Sequence, residues 1–201
     1  MTTVKTITKE KFTKEAKSFE KNVFGFWIYL MTDLLMFAVL FATYAVMHGN
    51  IYNGPSSKEI FDLPFALAET LILLTSSFTS GLVMLGVQNK SKKQVLLWLS
   101  ITFLLGLSFL GLELSEFSKL ISEGFGWQRS AFLSSFFALV GTHGLHITSG
   151  LLWLVIVFIK ILSQGITQGL ARKLTLFSLF WHFLDIVWIF IFTIVYLLGQ
   201  I

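Results

Sequence analysis

The chain has 201 residues, of which 13% are charged, 55% hydrophobic and 16% aromatic. A soluble domain carries about 25% charged residues, and a mean hydropathy of +0.78 leaves too little polar surface to cover a water-soluble globule of this size. Cysteine is absent, which excludes disulfides, thiolate-bound zinc, iron–sulfur clusters, thioether-attached haem and a cysteine nucleophile. The net charge of +4 gives no reason to expect nucleic acid, because the basic residues lie between apolar runs rather than in one patch.

Residues 1–23 form a Lys-rich tail with six lysines and three glutamates. The tail has no apolar core and no small-residue cleavage pattern follows the first span, so it is not expected to be a secretory signal; without arginine and with three glutamates it is also a poor mitochondrial presequence. Phe12, Ala16, Phe19 and Val23 recur at helical spacing, and Glu10 precedes Lys14 by one turn. Two readings stay open: an amphipathic helix on the anionic inner leaflet, or a solvated tail.

Five apolar stretches follow, at 24–47, 65–88, 95–117, 132–159 and 174–198. Each is long enough to cross a hydrocarbon core, which takes about 20 helical residues. Turn-forming residues separate them, and neither proline, Pro55 or Pro64, falls inside a stretch. The expected fold is all-α, an integral membrane bundle of five transmembrane helices forming one domain over 24–201. Of the basic residues, 12 lie on the side of the tail and of the second and fourth loops, against Lys58, Lys119 and Arg129 on the other. Cytoplasmic segments retain positive charge, so the N-terminus is expected in the cytoplasm and the C-terminus outside. Trp27, Trp98 and Trp127 fall near the expected membrane surfaces and read as interface anchors, whereas Trp153, Trp181 and Trp188 lie deeper and read as packing residues.

The spans contain Asp33, Glu69, Glu113, Glu116 and Asp185 with His143, His146 and His182, and no Lys or Arg. A charge at mid-membrane costs about 2.5 to 3.5 kcal/mol on insertion scales, so each of these groups needs a hydrogen-bonding partner, a neutral state or an interface. At about 1.5 Å per residue, Asp33, His182 and Asp185 lie about 12 to 16 Å from the inner ends of their helices, and His143 and His146 are also near mid-depth. Glu69, Glu113 and Glu116 lie towards the outer face, with Asp62 in the loop beside them. Two groups are therefore expected: a mid-depth polar network of Asp33, His143, His146, His182 and Asp185, and a set of outer-side carboxylates. His143/His146, Glu113/Glu116 and His182/Asp185 are each spaced to share a helix face. Gly141, Thr142 and Gly144 give the fourth span a narrow surface that a neighbouring helix can approach closely. Structural hydrogen bonding, a proton-related role and metal or haem ligation are all readings of these residues. An i, i+3 histidine pair alone carries little weight for ligation, and no catalytic motif is present.

The segments FFALVGTHGLHITSG (136–150) and FWHFLDIVWIF (180–190) resemble the signature runs of subunit III of the haem-copper respiratory oxidases, and FGFWIYLMTD (24–33), FDLPF (61–65) and SEF (115–117) fit the same family. The five-span layout and the run LFWHFLD (179–185) most resemble the bo-type ubiquinol oxidase branch. The resemblance implies a non-catalytic subunit of a proton-pumping terminal oxidase in the bacterial inner membrane, without catalytic or metal-binding residues of its own. It implies haem b, haem o and copper in a catalytic partner, subunit I, together with subunits II and IV, bound phospholipid and ubiquinol as electron donor. It also implies a role in sustaining proton uptake. Asp62 stands where family members often carry a glutamate. The alternatives are a cytochrome c oxidase subunit III, a self-standing proton-coupled carrier using Asp33, His182 and Asp185, and a haem b protein ligated through His146 and His182.

Overall fold

The computed structural model describes residues 2–51 and 57–200, with side chains from 19 onwards other than those of 58, 59 and 200. The described residues are helical and include no strand. The helices are α1 (Thr2–Met47), α2 (Ser57–Ile60), α3 (Leu63–Gln88), α4 (Lys92–Ser122), α5 (Ala131–Gln164) and α6 (Gln168–Ile191). α6 runs on into a π-helical turn, Phe192–Leu197, and a 3-10 turn, Leu198–Gln200. Among the described residues five segments are long and apolar enough to cross a membrane: Phe19–Met47, Leu63–Gln88, Lys92–Ser122, Ala131–Gln164 and Gln168–Leu197. Helix is the form that satisfies every backbone polar group within a single span, which lipid requires.

Capping residues rather than hydropathy set the helix ends. Ser130 accepts a hydrogen bond from the Leu133 N–H at 3.2 Å and Thr167 from the Leu170 N–H at 3.2 Å, so α5 and α6 begin where a side-chain oxygen can satisfy a free amide. α5 ends at Gly165, whose φ of +71° suits a residue without Cβ. Between α3 and α4 the chain reverses over Asn89–Ser91 with Lys90 left-handed at φ +52°. Gly86 lets the two helices close there, since a Cβ on it would stand 3.1 Å from the Val95 amide nitrogen.

The chain divides into two compact units, one ending at Met36 and the other starting at Phe37. The first comprises most of α1. Its tail residues Phe12 and Ala16, on which the amphipathic-helix expectation rests, lie outside the described side chains. The second unit holds the remainder of α1 with α2 to α6, and its helices α3, α4, α5 and α6 pack on one another.

The interior of the second unit is organised by tryptophans. The Trp181 indole occupies a slot between α4 and α5: a Cβ on Gly106 would lie 2.9 Å from its ring, and one on Gly150 would lie 2.8 Å away. Its Nε1–H donates to Ser76 Oγ on α3 at 3.0 Å. Two turns further along α6, Trp188 Nε1–H donates to Thr70 Oγ1 at 3.0 Å. Advancing on α6 thus means retreating on α3, so the two helices run antiparallel with their register set by two indole–hydroxyl bonds. Thr79 and Thr102 join α3 to α4 by a hydroxyl pair at 2.9 Å. At the opposite end Ser57 of α2 donates to the Gly199 carbonyl at 2.7 Å, and Phe61 stacks among Phe132, Phe136 and Tyr196. Leucine, isoleucine and valine fill much of the exposed helix surface, as a lipid-facing surface requires.

Gly150→Val is expected to lower stability by about 1 to 3 kcal/mol through overpacking against Trp181. Gly81→Ala, where a Cβ would meet nothing within 4 Å, should change it by less than about 0.5 kcal/mol. Thermal melting of the detergent-solubilised protein compares the two.

Candidate functional site

Small hydroxyl residues on α3 supply much of the polar contact with α6. Ser77 Oγ stands 2.5 Å from His182 Nδ1 and also hydrogen-bonds Asp185, so one serine bridges the two α6 residues expected to share a face. His182 itself lies on the exposed surface, whereas Asp185 is buried. With Trp181–Ser76 and Trp188–Thr70, three successive turns of α6 are tied to hydroxyls of a single helix.

A second polar group sits nearer the end that carries α2. Tyr196, fully buried in the π-helical turn, donates its hydroxyl to Glu116 Oε2 at 2.7 Å. The Glu69, Glu113 and Glu116 carboxyl groups all lie within electrostatic reach of that hydroxyl, and Glu69 is within reach of the other two. Glu69 is 0% exposed and Glu113 2%. Neither oxygen of Glu69, nor Oε2 of Glu113, has a hydrogen-bond partner among the described residues. The Glu113 carboxyl rests on α5 at Gly144, where a Cβ would come within 2.7 Å of Oε1. The narrow surface around Gly144 therefore accommodates a side chain of α4 rather than only a close helix backbone. Asp62 is exposed at the start of α3. It lines a cleft of about 130 Å³ with Ile60, Phe65, Ser115, Glu116 and Lys119.

The histidines of α5 have separate surroundings. His143 is fully buried, its ring packed against Phe37, Phe109 and Trp188 at centroid distances of 6.4, 5.9 and 5.3 Å. Neither of its ring nitrogens has a hydrogen-bond partner among the described residues. His146 Nδ1–H donates to the Thr142 carbonyl at 2.8 Å, and its ring packs on Phe37 and Phe180. Among the described residues no group of three or more His, Asp or Glu is arranged to hold a metal ion. Asp33 belongs to the first unit, where Tyr29 hydrogen-bonds it from one turn before. Trp27 and Trp127 are exposed and Trp98 is half-buried.

Sequence reasoning missed Tyr196, Ser76, Ser77 and Thr70. The available signal was the run of small hydroxyl residues on α3, Thr70, Ser76, Ser77, Thr79 and Ser80, all buried. Small polar residues concentrate where membrane helices meet. Tyr196 carried no comparable signal, because its direction depends on the π-helical turn.

Comparison with known proteins adds an independent finding. The family model described as "Cytochrome c oxidase subunit III" matches residues 12–200. The chain is 56% identical to the cytochrome bo(3) ubiquinol oxidase subunit 3 of Pseudomonas aeruginosa over 180 residues, covering 90% of this chain and 86% of that protein. It is 47% identical to the protein of the same name from Buchnera aphidicola subsp. Baizongia pistaciae, over 96% of this chain and 100% of the relative. It is 45% identical to the cytochrome c oxidase subunit 3 of Bacillus sp. PS3, over 90% of this chain and 88% of the relative.

Tyr196→Phe removes the donor to Glu116 without changing the ring's volume. It is expected to lower stability by about 1 to 3 kcal/mol, the range for a buried acceptor left unsatisfied, as read by thermal melting.

Proposed function

Because the chain belongs to the cytochrome c oxidase subunit III family, and is thus a subunit III of a haem-copper oxidase in the bacterial inner membrane, we propose that its complex takes electrons from ubiquinol. The observation that carries this reading is the 56% identity to a ubiquinol oxidase subunit 3 over nine-tenths of the chain, against 45% to a cytochrome c oxidase subunit 3. Other subunits of the oxidase are its partners. In the proposed complex, subunit I holds haem b, haem o and copper and reduces oxygen, subunits II and IV complete the assembly, and this chain contributes no catalytic residue. Its work is to cover one flank of the catalytic subunit, hold phospholipid and sustain proton uptake. The polar groups of its spans support that division of labour, because Ser77, Ser76 and Thr70 engage α6 of the same chain.

We further propose that the Lys-rich face is cytoplasmic, with the N-terminal tail of residues 1–23 on that side, the five-helix domain of 24–201 in the membrane and the C-terminus outside. The lopsided distribution of basic residues supports this topology. In this reading His143, His146, His182, Asp185 and Asp33 form structural hydrogen bonds and packing contacts, and Trp27, Trp98 and Trp127 anchor the helices at the two interfaces. Family membership does not favour a self-standing proton-coupled carrier.

Mild-detergent purification of the tagged chain from its native membrane tests the assignment. The expected result is co-purification with larger subunits, b- and o-type haem absorbance and ubiquinol oxidation. A colourless lone chain, or a complex that oxidises only cytochrome c, overturns it. His182→Ala separates structure from chemistry. It should lower assembly or thermal stability by about 1 to 3 kcal/mol while the assembled complex still reduces oxygen. Normal assembly with abolished oxygen reduction would place this residue in the chemistry.

A further inference from the structure

The buried carboxyl groups beside Tyr196 have no evident structural use. A side chain kept for packing or bundle stability normally meets a hydrogen-bond partner, since burying a polar group without one costs free energy and burying an unpaired charge costs far more. Glu116 has its partner in Tyr196. Among the described residues Glu69 has none on either oxygen and Glu113 has none on Oε2, although both are more than nine-tenths buried. Apolar side chains of similar volume would pack there at less cost, so packing does not account for the two carboxyl groups. Carboxyl oxygens without a protein donor are positions that a proton or a hydrogen-bonding water can occupy.

The same cluster has a route to the surface. The cleft of about 130 Å³ opens between the start of α3 and the last turns of α4, with Asp62 and Lys119 among its walls and Glu116 lining it. Glu116 is 9% exposed, so it joins the cleft to the interior. Glu113 is one turn below it on the same helix, and Glu69 faces both from α3. The titratable and charged groups along this path are Asp62 and Glu69 from α3, Glu113, Glu116 and Lys119 from α4, and Tyr196 from the π-helical turn. From α5, Gly144 leaves space for the Glu113 carboxyl, and the adjacent His143 is fully buried against Phe109 and Trp188.

We propose that Glu69, Glu113 and Glu116 form a proton-holding site inside the bundle that exchanges with water through the Asp62–Lys119 cleft. Glu116 Oε2 accepts the Tyr196 hydroxyl, so a proton on Glu116 sits on its other oxygen. The unpartnered oxygens of Glu69 and Glu113 provide positions for further protons and for bridging water. The site is distinct from the His182–Ser77–Asp185 group, which engages α3 and α6 of the same chain, and it does not depend on which donor feeds the oxidase.

Infrared spectroscopy of the purified complex tests the proposal, because a protonated carboxyl group has a C=O stretch separated from that of carboxylate and shifted by deuterium. The wild type should show protonated-carboxyl bands that shift on perfusion with D₂O. Glu69→Gln and Glu113→Gln, each nearly isosteric, should each remove part of that intensity. Ser115→Phe, which fills the cleft from an exposed position on α4, should retain the bands and delay their deuterium shift. Bands unchanged in both glutamine variants would overturn the proposal, as would bands that do not shift in D₂O or that shift equally fast in Ser115→Phe. The deuterium measurement on the wild type needs no variant to fold. Since the bands report carboxyl groups rather than oxygen reduction, the outcome is separate from that of the ubiquinol assignment.

Discussion

The indole of Trp181, held in a slot between Gly106 and Gly150 and hydrogen-bonded to Ser76, is the contact on which the second unit of the fold depends. Lipid tails are as apolar as a leucine side chain, so hydrophobicity alone gives membrane helices little reason to prefer one another. Close fit and internal hydrogen bonds must supply the preference. One side chain from α6 does both: its ring meets α4 and α5 where glycines leave room for it, and its N–H reaches α3. Four helices are referenced to a single rigid group.

Trp188 repeats the arrangement with a different filling. Its N–H reaches Thr70, while its ring meets Phe109 edge-on at 4.6 Å and His143 at 5.3 Å. Along the α3–α6 seam hydroxyls meet both indoles and His182, while one oxygen of Asp185 has no hydrogen-bond partner among the described residues. The carboxyl cluster near Tyr196 follows the opposite rule, with one hydrogen bond and several buried oxygens without partners. Two chemically different interiors lie along the same helices. The indole–hydroxyl bonds fix register, which the carboxyl cluster, with its one hydrogen bond, does not do.

The five spans were legible because apolar runs of membrane length are a one-dimensional property of the chain. The deep placement of Trp181 and Trp188 was also visible, since both lie far from any turn. Their partners were not. Gly106 and Gly150 are ordinary small residues until α6 is laid across them, and nothing in their local sequence distinguishes them from Gly81 or Gly111, which face open space. The carboxylates Glu69, Glu113 and Glu116 could be grouped by depth along their helices, but depth says nothing about rotation. Which of them meets a hydroxyl depends on how α6 ends. The π-helical turn at Phe192–Leu197 places Tyr196 inside, and a widened turn leaves no periodic trace in so apolar a segment. Ser77 as a bridge between His182 and Asp185 was hidden for a related reason, because the spacing of the pair put both on one helix face and did not say which residue of another helix would meet them.

The residues that complete the interior all come late in the chain. Trp181, Trp188 and Tyr196 belong to the last span, yet their partners Thr70, Ser76, Gly106 and Glu116 are on helices made well before it. During synthesis the α3–α4 hairpin can close by itself through Gly86 and the Thr79–Thr102 pair, but its hydroxyls stay without indole donors until α6 has been inserted. The interior is therefore complete only once the final helix is in place. A chain cut short before it would leave a polar groove open to lipid, a feature by which membrane quality control can separate unfinished copies from those fit to join the oxidase.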